Sequence, residues 1–222
     1  MSDPRIAAGM VRQLARRPAD APIRGWKVAF PTPAAQRNAG VDQPLVAWLT
    51  SATERPGGAT IDVTGWTKPT VEAELAIHLA TDVAPGSTLE QAAAAIGAIS
   101  AAIEVVDLDR PASEIEDVAA DGLFHRAYVL GTPRTGTKTD DVTVTGDLDG
   151  TAYAANATPT ETIGTPPQVA RFVADELARH GERLAAGQIV LAGSALPLQP
   201  VGAGQRLTVD AGPLGALTLL FA

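Results

Sequence analysis

Between Val71 and Ala80 the chain reads VEAELAIHLA, with Val71, Ala73, Leu75, Ile77 and Leu79 on one side and Glu72, Glu74, Ala76 and His78 on the other. Strict alternation predicts a strand with one apolar face. Residues 5 to 17 space their apolar positions as a short amphipathic helix, which the Pro18–Pro22 segment ends. A strand is expected over Arg24 to Phe30, then a loop at Pro31 and Pro33, one helical turn over Ala34 to Asn38, and a second loop over Ser51 to Thr60. Thr88 to Ala102 reads as a helix capped by Ser87 or Thr88 with Gln91 near the capping-box position, running into an apolar strand around Ala101 to Val106. Glu114 to Asp121 reads as irregular and acidic, and Ala127 to Gly131 as a strand. Asp149-Gly150 between Asp141–Leu148 and Thr151–Ala155 signals a hairpin. Pro166 and Pro167 open a helix that runs to about His180, Gln188 to Ala192 is a strand, and a hairpin around Gly212-Pro213 closes the chain. Many strands and three or so helices predict an α+β or mostly-β single domain.

Composition narrows what such a domain does. The 222 residues carry 17 basic and 25 acidic side chains, a net charge of −8, which argues against nucleic acid as a partner. The absence of cysteine excludes disulfides, thiolate-bound metals and thiol catalysis. Met1 to Ala21 has no apolar core of a secretory signal, and the Ala-rich stretch from Gln91 to Leu108 is broken by Glu104 and Asp107, so neither a membrane span nor export is expected, and the protein is expected to be cytoplasmic.

The candidate chemistry starts from Glu72 and Glu74, two residues apart on one strand face. Adjacent carboxylates repel, so one takes up a proton or a hard cation sits between them; a solvated strand face is the competing reading. Glu104 lies inside the apolar run AAIEVV, where an ionised side chain needs a partner: a shared cation, or an Arg. Lys27 lies inside GWKVAF, either partly buried near such a site or snorkelling from a strand end. His78 shares the Glu72/Glu74 face, His125 falls between the acidic stretch and a strand, and His180 ends a helix. No Gly-x-Ser-x-Gly elbow, dinucleotide fingerprint or P-loop occurs.

Five segments together resemble a known family. GWKVAFPTPAAQRNAGVDQP (Gly25 to Pro44), KPTVEAELAIHL (Lys68 to Leu79), AIEVVD (Ala102 to Asp107), DVAADGLFHRAYVLG (Asp117 to Gly131) and the tail from Gly187 to Phe221 follow, in order, the 2-keto-4-pentenoate hydratase and 4-oxalocrotonate decarboxylase group of the fumarylacetoacetate hydrolase superfamily. The resemblance implies a mostly-β, mixed-sheet roll with a few flanking helices, with residues 25–222 as the catalytic domain and 1–24 as a short N-terminal helical segment. It also implies a Mg²⁺ or Mn²⁺ ion held by Glu72, Glu74 and Glu104, Lys27 as the catalytic lysine, and Thr32, Gln36 and Ser194 as substrate-binding residues; His78 joins the substrate-binding candidates through the strand face it shares with Glu72 and Glu74, against the competing reading of a strand-end His exposed to water. The implied substrate is a small 2-oxo acid, the implied assembly a homo-oligomer, and association with a partner enzyme of the same pathway is a further possibility.

The chain departs from the pattern at three places. Thr50 stands where family hydratases carry an Asp, Ala120-Asp121-Gly122-Leu123-Phe124 replaces a polar Ala-Asp-Asn-x-Ser loop, and Ala192-Gly193-Ser194 replaces Ser-Gly-Ser. Hydration of a 2-hydroxypenta-2,4-dienoate-like acid is the activity the resemblance favours. The alternatives are 4-oxalocrotonate-type decarboxylation, C–C bond hydrolysis, disfavoured by the lack of a His before His78, and a catalytically impaired binding subunit.

Overall fold

The computed structural model describes residues 3–222; Met1 and Ser2, which open the expected N-terminal segment, lie outside the described residues. In chain order the elements are α1 (Pro4–Ala15), β1 (Ile23–Ala29), α2 (Pro33–Ala39), β2 (Leu45–Thr50), β3 (Glu54–Arg55), β4 (Thr60–Ile61), β5 (Pro69–Leu79), α3 (Leu89–Ala95) and β6 (Ile96–Asp107). They continue with α4 (Ile115–Ala120), β7 (His125–Leu130), β8 (Val144–Leu148), β9 (Thr151–Asn156), α5 (Pro159–Ile163), α6 (Pro166–Ala178), β10 (Ile189–Ser194), β11 (Gln199–Pro200), β12 (Arg206–Asp210) and β13 (Ala216–Phe221). No helix among the described residues is long and apolar enough to cross a membrane.

The larger sheet runs β2-β1-β10-β5-β6-β7-β3, and the smaller one β4-β13-β12-β8-β9. Both are mixed: β1 pairs parallel with β10, β3 with β7 and β4 with β13, while the remaining ladders are antiparallel. The expected α+β, sheet-dominated architecture is what forms. The apolar row of β5 packs with Ile99, Ala101 and Ile103 of β6, with α6 and with the inner face of the smaller sheet in the main core. The opposite face of the larger sheet is also covered: Ala76, Ala102, Tyr128 and Leu191 are buried there. Burial on both faces is why Glu74 and Glu104 reach no solvent.

Local signals end where pairing overrides them. The helix expected to reach Ala102 stops at Ala95 after its Thr88/Gln91 capping box, because residues from Ile96 onward ladder along β5, with Leu79 opposite Ile96 and His78 opposite Ala98. Alanine favours the helix, but by less than about 1 kcal/mol per residue, so over a short run the ladder and its burial decide. The acidic stretch expected to be irregular holds α4, whose Ile115, Val118 and Ala119 pack with Ile6 of α1, while Glu116 and Asp117 face its positively polarised first turn. Gly9 is needed at that crossing, since a Cβ there would meet Ala119 Cβ at 2.6 Å. Strand β2 and helix α5 were not expected from the sequence. β2 is apolar on nearly every residue and carries no alternation to announce it.

Candidate metal centre and active site

The pairing register assembles the charged cluster. Glu72 and Glu74 project from the same face of β5, and Glu104 of β6 is the direct cross-strand partner of Glu72. One ligand atom from each of the three carboxylates lies within 4.8 Å of the others. Glu74 and Glu104 are fully buried and Glu72 is half-buried. Lys27 of β1 reaches the cluster from two strands beyond β5, its Nζ 2.7 Å from Glu104 Oε1 and donating to Leu123 O at 3.1 Å. At 1% exposure it does not snorkel, and the partner of Glu104 is this Lys rather than an Arg.

His125 joins from the other side. A register shift between Val105 and Val106 sets it beside Glu104, with Nδ1 2.6 Å from Glu104 Oε1 and Nε2 2.9 Å from Thr53 Oγ1. Nothing local gives His125 a role, because only the bulge and the neighbouring strand bring it in; the one signal the sequence carries is its place just before a strand adjacent to that of Glu104. Gly193, with φ +99°, brings its N–H within 2.8 Å of Glu74 Oε2, and a Cβ there would meet Pro31 at 2.9 Å. Gly is required for that backbone to close on the carboxylate.

The other expected site residues divide. Thr32 and Ser194 line the large cavity beside Glu72, where Thr32 caps α2 through Ala35 N and the Ser194 hydroxyl donates to Leu196 O at 2.8 Å. Gln36 and His78 do not line it. Gln36 donates to Phe30 O at 3.1 Å, and His78 Nε2 lies 2.9 Å from Ser100 Oγ near the opposite end of β5. The strand alternation that puts His78 on the carboxylate face also carries it four pairs along the ladder, from Glu74 opposite Ala102 to His78 opposite Ala98. Trp48 is committed to α1, its indole donating to Gln13 O, whereas Phe124 is part of the cavity wall. Thr50 is fully buried with its Oγ1 unpartnered.

Charge balance explains the cluster's electrostatics. Burial pushes Glu72 up to about 7 against the pull of Lys27, and pushes Glu74 well above the usual carboxylate range with Glu104 and Glu72 adding repulsion. Glu104 goes the other way: burial opposes it, but Lys27 and His125 together hold it below its ordinary value. Lys27 resists its own burial through Glu104 and Glu72 and stays protonated, and burial lowers His125. Glu74 Oε1 and Glu104 Oε2 are buried with no hydrogen-bond partner. Buried carboxylate oxygens are rarely left so, and a hard divalent cation among three carboxylates both satisfies them and removes the repulsion. The oxygen-only donor set fits Mg²⁺ or Mn²⁺.

The cavity measures about 830 Å³ and reaches the cluster at Glu72, with Ser194 and Thr32 on its lining and Lys68 and Arg110 as its cationic members. Glu74, Glu104 and Lys27 are not on the lining.

No family model matches the chain. It is 30% identical to a 2-keto-4-pentenoate hydratase of Burkholderia vietnamiensis over 205 residues, which span 90% of this chain and 78% of that protein. Its fold resembles that of a 4-oxalocrotonate decarboxylase from Pseudomonas putida G7, complexed with magnesium and adipate, with a TM-score of 0.85 at 24% identity over 96% of this chain and 81% of that one. A fumarylpyruvate hydrolase from Pseudomonas aeruginosa in complex with Mn²⁺ and pyruvate superposes with a TM-score of 0.74 at 16% identity, covering 93% of each chain.

Proposed function

The chain belongs to the 2-keto-4-pentenoate hydratase and 4-oxalocrotonate decarboxylase family of the fumarylacetoacetate hydrolase superfamily, and from that premise we propose that it is a divalent-metal-dependent hydro-lyase of 2-hydroxy-2,4-dienoic acids. The observation that carries the reading is the trio Glu72, Glu74 and Glu104, gathered within 4.8 Å with two buried oxygens unpartnered. These residues would hold Mg²⁺ or Mn²⁺. Bound there, the ion supplies Lewis acidity toward the 1-carboxylate and 2-oxo oxygens of the substrate.

In the overall reaction the 2-hydroxyl loses its proton and C5 gains one, after which water adds its oxygen to C4 and a proton to C3, giving a 4-hydroxy-2-oxo acid. The residues of this chain bind and hold protons for it. Lys27 has three N–H donors, of which Glu104 and Leu123 take two, so one remains for a substrate carboxylate or a proton in transit. His125 orients Glu104 from the side opposite Lys27, with its tautomer set by the contacts to Glu104 and Thr53. Thr32, whose Oγ1 accepts from Ala35 N, keeps its hydroxyl proton to donate from the cavity wall beside Glu72, whereas the proton of Ser194 goes to Leu196 O and leaves that hydroxyl as an acceptor. Thr50 carries no carboxylate, so proton transfer in this protein runs without an acid at that position.

The test is loss of the dienoate absorbance of 2-hydroxypenta-2,4-dienoate with Mg²⁺ or Mn²⁺ and with EDTA, with 4-oxalocrotonate as a parallel substrate. Metal-dependent turnover abolished in Glu74→Ala is expected. Turnover of 4-oxalocrotonate alone would replace hydration by decarboxylation, and no metal-dependent turnover of either acid would overturn the assignment.

A further inference from the structure

The cavity is much larger than the proposed head group needs, and most of its wall is apolar, with Asn38, Asn156 and Thr162 among the polar exceptions. At about 830 Å³ it lies in the upper part of the range that holds drug-sized ligands, roughly 300–1,000 Å³, whereas a five-carbon dienoic acid is far smaller. Phe30, Leu108, Leu123, Phe124, Leu196 and Leu198 are on its lining. Its cations are poorly placed to receive a second carboxylate: Arg110 is already paired with Asp109 at 3.1 Å and with Asp121 at 2.7 Å, and Lys68 is exposed to solvent that screens its charge.

The wall is also built at a cost. Four non-glycine residues among the described ones have left-handed backbone; one is Asp149 of the hairpin turn, and the others are Phe30 (φ +56°), Leu123 (φ +58°) and Phe124 (φ +66°), all on the cavity. Bulky residues adopt this conformation only where the surroundings over-determine it, and such strain gathers at ligand sites. Here each is pinned through its carbonyl: Gln36 donates to Phe30 O at 3.1 Å, Lys27 Nζ to Leu123 O at 3.1 Å and Asp107 N to Phe124 O at 3.0 Å. Lys27 thus ties the carboxylate cluster to the apolar wall, and Gln36 is a positioning residue for that wall.

We propose that this enzyme acts on 2-hydroxy-2,4-dienoic acids bearing an extended apolar substituent at the end remote from the carboxylate, which the wall of Phe30, Phe124 and Leu196 receives. The inference rests on the reading of the head-group site given above.

Binding of saturated 2-oxo acids to the full-length, Mg²⁺-loaded protein, measured by calorimetry, tests it without requiring turnover. Along pyruvate, 2-oxobutanoate, 2-oxohexanoate and 2-oxooctanoate, Kd is expected to fall about two- to fourfold per added methylene, the upper figure corresponding to full burial. 2-Oxohexanoate is expected to bind more tightly than the diacid 2-oxoadipate. In Phe124→Gly, which keeps the backbone conformation allowed, the ratio of 2-oxooctanoate to pyruvate affinity is expected to fall at least threefold; because the wild-type series decides alone, a variant that does not fold leaves the test intact. Metal-dependent pyruvate binding with a flat series, or a preference for 2-oxoadipate, overturns this inference and leaves the head-group site standing. Absence of any metal-dependent 2-oxo acid binding overturns both. A graded series without turnover of any dienoate keeps the apolar subsite for 2-oxo acids and sinks the hydratase reading, and with it the dienoic identity of the substrate.

Discussion

Replacing Lys27 by Met keeps a linear side chain of similar length and removes the ammonium group that sits 2.7 Å from Glu104 Oε1 with both partners at or below 1% exposure. Removing one member of such a pair leaves the other charge buried and uncompensated, which costs about 3–5 kcal/mol. His125, 2.6 Å from the same oxygen, softens this only when it is protonated, and its burial disfavours that. For a domain of this size about 1 kcal/mol moves Tm by roughly 2–4 °C, so Lys27→Met in EDTA should melt about 6–20 °C below wild type. The deficit has a pH signature. In wild type the depressed pKa of Glu104 contributes stability that is present above the carboxylate's unfolded value and is lost as pH falls through the folded value. Without Lys27 that contribution disappears and protonation rescues Glu104, so the gap between the two proteins should widen from pH 5 to pH 8. Mg²⁺ should stabilise Lys27→Met more than wild type, because the cation then supplies the missing positive charge. Differential scanning calorimetry across this range, with EDTA and with Mg²⁺, measures all three effects. A deficit below about 1 kcal/mol in EDTA, or one that does not change with pH, would refute the reasoning.

Glu72 titrates near 7 and Glu74 is raised well above the usual range, so the metal-free protein holds protons there that its unfolded chain has released; its stability should fall as pH rises from about 5 through 7. Metal must displace those protons, so Mg²⁺ affinity should rise over the same interval with net proton release, read from binding enthalpies in two buffers of different ionisation heat. Glu74→Gln removes a fully buried carboxylate whose Oε1 has no partner; it should abolish metal binding while leaving the metal-free protein as stable as wild type or more so at pH 8, as urea titrations would show. Gly25→Ala should cost about 4 kcal/mol or more, since its Cβ would stand 2.0 Å from Ile189 O across the β1–β10 ladder; a urea midpoint near wild type would count against that packing.

What the sequence determines by itself is whatever rests on neighbouring residues. The alternation over Val71–Leu79, the Thr88/Gln91 capping box, the Asp149-Gly150 turn with its two positive φ angles and the projection of Glu72 and Glu74 from one strand face all depend on local backbone geometry, and all are present in the fold. The anomaly of Glu104 and Lys27 is legible too, because an ionised side chain in an apolar run demands a partner wherever that partner comes from. Which partner it is belongs to the tertiary structure. Only the β5–β6 register sets Glu104 opposite Glu72, and only the β1-β10-β5-β6 strand order brings Lys27 to Glu104. The Val105/Val106 shift places His125 beside Glu104, and the length of the same β5 ladder takes His78 away. The extension of β6 back to Ile96 and the helix in the acidic stretch were likewise settled by pairing and packing, which outweigh the small intrinsic preferences of alanine and of short acidic runs. Burial on both faces of the larger sheet turned an ordinary Glu-x-Glu pattern into a desolvated cluster, because the cost of ionisation depends on the surrounding layers and not on the strand that carries the residue.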